Sequence, residues 1–360
     1  MANQTKSIRV LVVGCGNMGA SHAVAYSILD GVSICGIVST GDSKEKLNER
    51  LGGGYLLFSD YSQALETTKP DAVCISTYPD THESFAIMAL EKGCHVFIEK
   101  PLADTVEGAT RVAAAAKKAG KKLVIGYILR HHPSWEKFIE LARQLGKPLV
   151  MRMNLNQQSQ GVMWNVHRNL MKSLSPIVDC GVHYIDVMCQ MVRSKPLQVS
   201  AIGARLTNDI PEGNYNYGQL QIRFEDGSVG WYEAGWGPMI SETAFFVKDV
   251  IGPKGSVSIV AKEAGGKGKS DSVEAHTKTE SIRLHHADID TNNAFTRPDE
   301  WINLQDEPDH QELCNREQRY FLSAIKEGFD LTDHIEDAVN SLVIAFACDE
   351  SVRTGKTVIL

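Results

Sequence analysis

A short apolar run, Ile8–Val13, leads directly into Gly14-Cys15-Gly16-Asn17-Met18-Gly19. Strand, glycine turn and helix start in that order constrain this chain more than any other feature. Gly-x-Gly-x-x-Gly alone is a weak signal, but in this context it reads as a dinucleotide fingerprint. Each glycine has its own reason. Gly14 permits the tight turn, Gly16 leaves room for a pyrophosphate against the backbone, and Gly19 allows close helix–strand packing. Asn17 and Met18 open the helix, whose free N–H groups and partial positive charge suit phosphates.

The first 125 or so residues keep this alternation. Ile8–Val13, Ser33–Val38, Ala72–Ser76, His95–Ile98 and Leu123–Tyr127 are short and rich in Val, Ile and Leu, with helix-like stretches such as Thr105–Ala119 between them. Asp104 or Thr105 can cap that helix, and Gly120 follows its end. The pattern predicts a parallel sheet with helices on both faces. After about residue 145 the runs lengthen and alternate apolar with polar: Leu149–Asn156, Leu197–Leu206, Tyr215–Phe224, Val229–Trp236 and Ala244–Ile251. Asp226-Gly227 is a tight-turn signal between two of them. Leu220, Ile222 and Phe224 share one side of a strand, and Gln219, Gln221 and Arg223 the other. One face of this sheet is expected to pack on helices. The other packs on a second subunit or meets solvent. Ala261–Glu280, rich in Gly, Lys and Ser, reads as a surface loop. Gln318–Lys326 and Glu336–Arg353 return to helical spacing.

The expected fold is therefore a doubly wound, parallel Rossmann sheet over residues 1–128. An α+β domain over 129–360 would carry a large open-faced, mainly antiparallel sheet, with a helix over about 335–353 packing back toward the first domain. A length of 360 residues suits two domains at about 150 residues each. Apolar residues at 43% and charged residues at 22% describe a globular core. A net charge of −7 suits neither phosphate backbones nor anionic lipid, so nucleic-acid and membrane partners are not expected. No run reaches the ~18 apolar residues of a membrane helix. Met1–Val10 has no apolar core before a cleavage site, which points to the cytoplasm. Eight cysteines without a Cys-x-x-Cys pair read as buried thiols in a reducing compartment. His131-His132 and His285-His286 lack Asp, Glu or Cys partners at ligand spacing along the chain, so no metal is expected.

The choice of nucleotide turns on the end of the second strand, where an NAD-binding protein places an acid. Here stand Ser39-Thr40-Gly41, then Asp42 and Lys44. The hydroxyls of Ser39 and Thr40 and the Lys44 ammonium could hold a 2′-phosphate. The cofactor expectation is therefore NAD(P), with NADP favoured over NAD; Asp42 reaching the ribose would reverse it.

Two further segments are Glu99-Lys100-Pro101 after the fifth strand and Asp179-Cys180-Gly181-Val182-His183-Tyr184-Ile185-Asp186. With the glycine turn, they resemble the glucose–fructose oxidoreductase / inositol dehydrogenase / MocA family, in layout nearly end to end. The resemblance implies that Lys100 lies between the nicotinamide and the substrate hydroxyl. It implies that Asp179 and His183 are the catalytic pair of the substrate domain, and that Ser76–His82, with Thr77 and His82, packs near the nicotinamide together with Glu99. Ser173-Leu174-Ser175-Pro176-Ile177 departs from the glycine-rich turn many members carry, which leaves the pocket shape and substrate open.

The residues support those roles independently. Ligands of open α/β sheets sit beyond the carboxyl ends of strands, where Glu99 and Lys100 fall. Asp179 and His183 are four apart and share a helix face, which Asp186 continues. An imidazole suits proton transfer near neutral pH, and a lysine supplies positive charge to an alkoxide-like oxygen. Arg130, Trp164, His167 and Arg168 are candidate substrate contacts, an aromatic platform with polar heads that suits a sugar ring. The expected activity is hydride transfer between NAD(P) and a hydroxyl or keto group of a sugar, sugar derivative or inositol. The expected assembly is a homodimer or homotetramer through the open sheet face. Two alternatives stay open: a glycosidase using transient redox chemistry, and a non-catalytic NADP sensor.

Overall fold

A computed structural model of the chain describes residues 7–241, 247–260, 279, 281–303 and 307–360. It divides into two compact units, residues 1–128 with 309–339 and residues 129–308 with 340–360.

The first unit is built on six parallel strands: β1 (Ile8–Val13), β2 (Val32–Val38), β3 (Leu57–Phe58), β4 (Ala72–Ile75), β5 (His95–Glu99) and β6 (Leu123–Gly126). Their order is β3-β2-β1-β4-β5-β6, so the chain reverses direction across the sheet between β1 and β4. The connecting helices are α1 (Asn17–Ile28), α2 (Ser43–Arg50), α3 (Tyr61–Thr68), α4 (Pro79–Glu91) and α5 (Val106–Ala119). Local chemistry sets their ends. Thr105 rather than Asp104 caps α5, accepting from the Gly108 amide at 3.0 Å, and left-handed Gly120 closes it. The central strands are buried on both faces, which explains their unbroken apolar runs. A later helix, α9 (His310–Glu327), joins this core: Phe321, Leu322 and Ala324 belong to one cluster with Val10, Val12, Tyr26, Ile37, Phe97 and Val124. Ile125 on edge strand β6 donates its amide to His334 Nε2 at 2.9 Å, so one ladder group that would otherwise be open finds a partner.

The second unit carries nine strands in the order β14-β13-β12-β11-β7-β10-β9-β8-β15. These are β7 (Val150–Gln158), β8 (Pro196–Ala204), β9 (Tyr217–Phe224), β10 (Val229–Gly237), β11 (Lys248–Gly252), β12 (Gly255–Val260), β13 (Ser281–His286), β14 (Glu300–Ile302) and β15 (Val358–Ile359). Every pairing is antiparallel except β7 with β10. The sheet is thus mixed, and mostly antiparallel. Of the expected strand Ala244–Ile251, residues 244–246 lie outside the described residues. So does the expected loop Ala261–Glu280, apart from Thr279.

One face is apolar and covered. Leu220, Ile222 and Phe224 are buried while Gln221 and Arg223 are exposed, the alternation of a strand with one wet side. Helices α6 (Pro133–Gln144) and α8 (Val182–Val192) lie on the buried side. There Trp135 meets Tyr184 edge-on at 5.7 Å, and Tyr184 stacks on Tyr232 at 5.2 Å. The remaining helices are α7 (Gly161–Leu170) and α10 (Thr332–Thr354). The opposite face presents exposed Val150, Val229 and Ile251 around a shallow hollow of about 660 Å³ that Arg152, Arg223 and Trp231 help to line. No helix among the described residues is long and apolar enough to cross a membrane. All eight cysteines are free, six of them buried.

Candidate functional site

In the first unit the glycine turn follows β1 at once. Gly14 takes φ +94°, and a Cβ there would stand 2.3 Å from the Ser76 carbonyl oxygen. A Cβ on Gly19 would stand 2.0 Å from the Gly14 carbonyl oxygen. These two glycines let the turn lie directly against the chain leaving β4. Gly16 differs: nothing lies within 4 Å of where its Cβ would be. That open space sits at the start of α1, whose first turn has no side-chain cap and no acidic residue. Asn17 is exposed and Met18 half-buried. Uncommitted helix amides beside an open glycine suit a pyrophosphate, so the residues present fit a dinucleotide.

The other expected nucleotide residues surround the same carboxyl edge of the sheet. Ser39 shares a hydrogen bond with Ser43, Oγ to Oγ 2.8 Å, and Thr40 is exposed. Lys44 donates to the Gly41 carbonyl at 2.8 Å and lies 3.4 Å from the Glu45 carboxylate. Its ammonium is thus partly engaged, with an acid at its side. Thr77 and Thr81 are joined through their hydroxyls at 2.7 Å. His82 is fully buried, with Nδ1 2.8 Å from the Pro101 carbonyl and Nε2 3.1 Å from the Thr77 carbonyl. Burial holds its pKa below the usual imidazole value, against the pull of the two carbonyls. This geometry makes His82 a tie between the loops after β4 and β5, not an exposed nucleotide contact. Glu99 is buried at the end of β5 against His22, and half-buried Lys100 follows it.

In the second unit Asp179 sits in a π-helical turn, Ile177–Gly181, that runs into α8. Ser175 receives the Val178 amide at 3.1 Å and so starts this turn where the sequence shows no glycines. Single π turns are frequent at functional sites. Asp179 and His183 are both half-buried. Asp186 does not share their exposure. It is 1% exposed and binds the Arg130 guanidinium in a two-pronged pair, Nε to Oδ2 2.9 Å, and accepts from Gln190 at 2.9 Å. Asp186, three residues on from His183 in α8, is the buried member of the series, and Arg130 is bound into the same buried pair.

Helix α7 brings Trp164, His167 and Arg168 together. His167 stacks flat on Trp236, with centroids 4.3 Å apart at 9°. Burial lowers its pKa to about 4, opposed by the Asp179 carboxylate, and its Nδ1 has no hydrogen-bond partner among the described residues. Arg168 lies over the Trp164 ring at 5.8 Å, and both reach Asp209: Trp164 Nε1 at 3.4 Å and Arg168 at 3.9 Å. Asp209, between β8 and β9, belongs to no motif, and only the fold brings it here.

The histidine pairs find acids across strands rather than along the chain. His285 lies 2.8 Å from Asp299 and His286 2.6 Å from Glu300. These acids lie 14 residues away rather than at ligand spacing along the chain, and each pair supplies one imidazole and one carboxylate. His132 is buried and caps α6 through the Ser134 amide at 3.2 Å.

A strand–glycine–helix turn at the switch point of a six-stranded parallel sheet defines a Rossmann-type dinucleotide-binding unit, here accompanied by an open-faced mixed sheet. Comparison with known proteins agrees. Residues 8–127 match the oxidoreductase family, NAD-binding Rossmann fold, and residues 141–360 match the oxidoreductase family, C-terminal alpha/beta domain. The chain belongs to the Gfo/Idh/MocA oxidoreductase family. Inositol 2-dehydrogenase 4 of Saccharopolyspora erythraea is 30% identical over 219 residues, 58% of this chain and 61% of that protein. The scyllo-inositol 2-dehydrogenase (NAD(+)) of Bacillus subtilis is 27% identical over 70% of this chain and 73% of its own. The first of these is thus spanned over less than two thirds of its length. In fold, the crystal structure of scyllo-inositol dehydrogenase from Lactobacillus casei, solved with NAD(H) and scyllo-inositol, is similar with a TM-score of 0.76 at 19% identity, covering 98% of this chain and 99% of that one.

The two kinds of glycine make a paired prediction. Gly14→Ala drives a Cβ into backbone, so it lowers the melting temperature by several degrees and abolishes NADH binding. Gly16→Ala meets no protein atom, so it leaves the melting temperature within a degree or so and weakens NADH binding tenfold or more. Differential scanning fluorimetry and nicotinamide fluorescence titration check both. An unchanged NADH affinity in Gly16→Ala would remove the nucleotide from this turn.

Proposed function

We propose that the chain is an NAD(P)-dependent oxidoreductase acting on a CH–OH group of a polyhydroxylated ring: a sugar, a sugar derivative or an inositol. The observation that carries this reading is the shared carboxyl edge of the parallel sheet, where the open glycine turn after β1 and Lys100 after β5 both emerge. The names of the relatives support the substrate class. Gly14, Gly16, Asn17, Met18 and Gly19 cradle the pyrophosphate, Thr77 lines the nicotinamide side, and His82 and Glu99 hold the loops in place. A bound nicotinamide supplies the hydride acceptor in oxidation and the donor in reduction.

In the oxidative direction His183 takes the hydroxyl proton, and the carbinol carbon gives up its hydride to leave a carbonyl. Lys100 polarises the oxygen and steadies its developing charge. Asp179 orients His183 or the substrate. Trp164, His167 and Arg168 form the recognition platform, and Arg130, paired with Asp186, is a scaffold residue. Ser39, Thr40 and Lys44 lean the site toward NADP, and Glu45 beside Lys44 is the counterweight. We further propose a cytoplasmic homodimer or homotetramer through the face bearing Val150, Val229 and Ile251. Light scattering should then give a mass of two or four chains, reduced by Val229→Glu; a monomeric wild type would end that reading.

The experiment for the activity is a panel of inositols, aldoses and glycosides with NAD⁺ and with NADP⁺, followed by reduced-nicotinamide absorbance. Net cofactor reduction is expected. Glycoside cleavage without it would favour the glycosidase alternative instead. On the substrate found, Lys100→Ala and His183→Ala each lower kcat by roughly 10²–10⁴ while NADH still binds. Wild-type turnover in both variants would overturn the assignment. Lys44→Ala should raise KM for NADP⁺ about tenfold, the order of one lost phosphate contact, and leave KM for NAD⁺ within about twofold; equal effects would remove the NADP preference.

A further inference from the structure

The apolar interior of the first unit contains a polar thread that the glycine turn does not use. Tyr26 on α1, 2% exposed, donates its hydroxyl to Oε1 of Gln318 on α9. That bond orients the amide, and Gln318 Nε2 faces His22 Nδ1 at 2.9 Å. An amide nitrogen only donates, so Nδ1 accepts, and the ring hydrogen on Nε2 goes to Glu99 Oε1 at 2.7 Å. Four side chains thus form one hydrogen-bond chain with a single direction, ending on the carboxylate that precedes Lys100. His22 and Gln318 are fully buried. On β6, the partner of β5, a Cβ at Gly126 would stand 3.1 Å from Glu99 Oε1 and 3.3 Å from Oε2. The carboxylate is thus packed close over Gly126, where a methyl group would have to push it by a few tenths of an ångström.

Several groups face Glu99: His22 from α1, His82 from α4, Cys74 from β4, Glu317 and Cys314 from α9, and Lys100 at its own strand end. Burial alone would raise Glu99, but the His22 hydrogen bond and the Lys100 charge hold it below the usual carboxylate range. Glu317 goes the other way. Burial, with the charge on Glu99, pushes it well above the usual carboxylate range. His22, Cys314 and Glu317 lie close enough to suggest a metal site, but both nitrogens of His22 are already engaged in the thread.

We infer that Tyr26, Gln318 and His22 are positioning residues, a directed hydrogen-bond chain that holds the Glu99 carboxylate and, through it, the Lys100 ammonium. The inference rests on the role given to Lys100 above. A carboxylate that loses a buried donor favours its neutral form, and a lysine that loses a neighbouring negative charge favours the free amine.

Trace labelling with acetic anhydride at pH 8, on the full chain without dinucleotide, tests this. Peptide mass spectrometry compares Lys100 with exposed Lys118. His22→Phe should label Lys100 about threefold faster or more than wild type, as expected when an opposite charge is lost. His22→Gln keeps one donor and one acceptor, and should stay within about twofold of wild type. Wild-type labelling in His22→Phe, or an equal change in His22→Gln, would overturn the inference. If His22→Phe does not fold, Gln318→Met decides: a rise of about twofold or more is expected, and no rise overturns it. Labelling needs no substrate, so its outcome is separate from the turnover of Lys100→Ala, on which the functional reading stands or falls.

Discussion

A backbone contact with no room for a side chain governs the carboxyl edge of the parallel sheet. The Gly14 carbonyl lies where a Cβ of Gly19 would be, and the Ser76 carbonyl lies where a Cβ of Gly14 would be. Hard-sphere overlap of that size cannot be relieved by rotamer changes, because the obstructing atoms are backbone. Two absent methyl groups therefore fix how α1 leaves β1 and how that turn meets the loop after β4. Only after this packing is satisfied does Gly16 remain open. The space at the helix start is thus a consequence of close packing on either side of it.

The same economy applies to charge. Burying an ion costs several kcal/mol unless partners replace water, and each buried ionisable group here has a specific answer. Arg130 and Asp186 satisfy one another, with Gln190 on the remaining carboxylate position. Lys248, fully buried and held well below its usual pKa by that burial, lies over the rings of Trp135 and Tyr184. Glu99 takes a hydrogen bond from His22, whereas Glu317 takes none among the described residues and burial pushes its pKa well up. Breaking such a pair is more damaging than the pair is stabilising, because the partner left behind remains buried. Arg130 is therefore a fixed part of the second unit.

Much of the first unit was legible in the sequence because parallel central strands announce themselves as short unbroken apolar runs. Each expected strand there starts and ends within a residue of the structure, and Thr105 was already a named cap. The second unit was legible in its alternation but not in its pairing: nothing local distinguishes the parallel β7–β10 ladder from its antiparallel neighbours. The short strands β3, β14 and β15 carry too few residues to show a period. The nucleotide and catalytic candidates stood out as motifs. What escaped depends on distance in sequence. Arg130 meets Asp186 across 56 residues, His22 meets Gln318 across 296, and Asp299 reaches His285 only because β13 and β14 are neighbours. The π turn was equally hidden, since Ser175-Pro176-Ile177 has no signature that separates it from an ordinary helix start.

The second unit offers two imidazoles near Asp179, and their surroundings divide the work between them. His167 lies flat against Trp236 with its pKa lowered to about 4, chiefly by burial, so near neutral pH it is uncharged and its ring serves as a surface. Taking a proton there would place a charge in an apolar stack, at a cost that grows as water is excluded. His183 is half-buried, four residues on from Asp179, at the exit of the π turn. Under the proposed function, two like groups in different surroundings give one site both a proton acceptor and a neutral platform. Asp179 falls within the π turn, and Asp186 lies in the helix it enters, buried against Arg130.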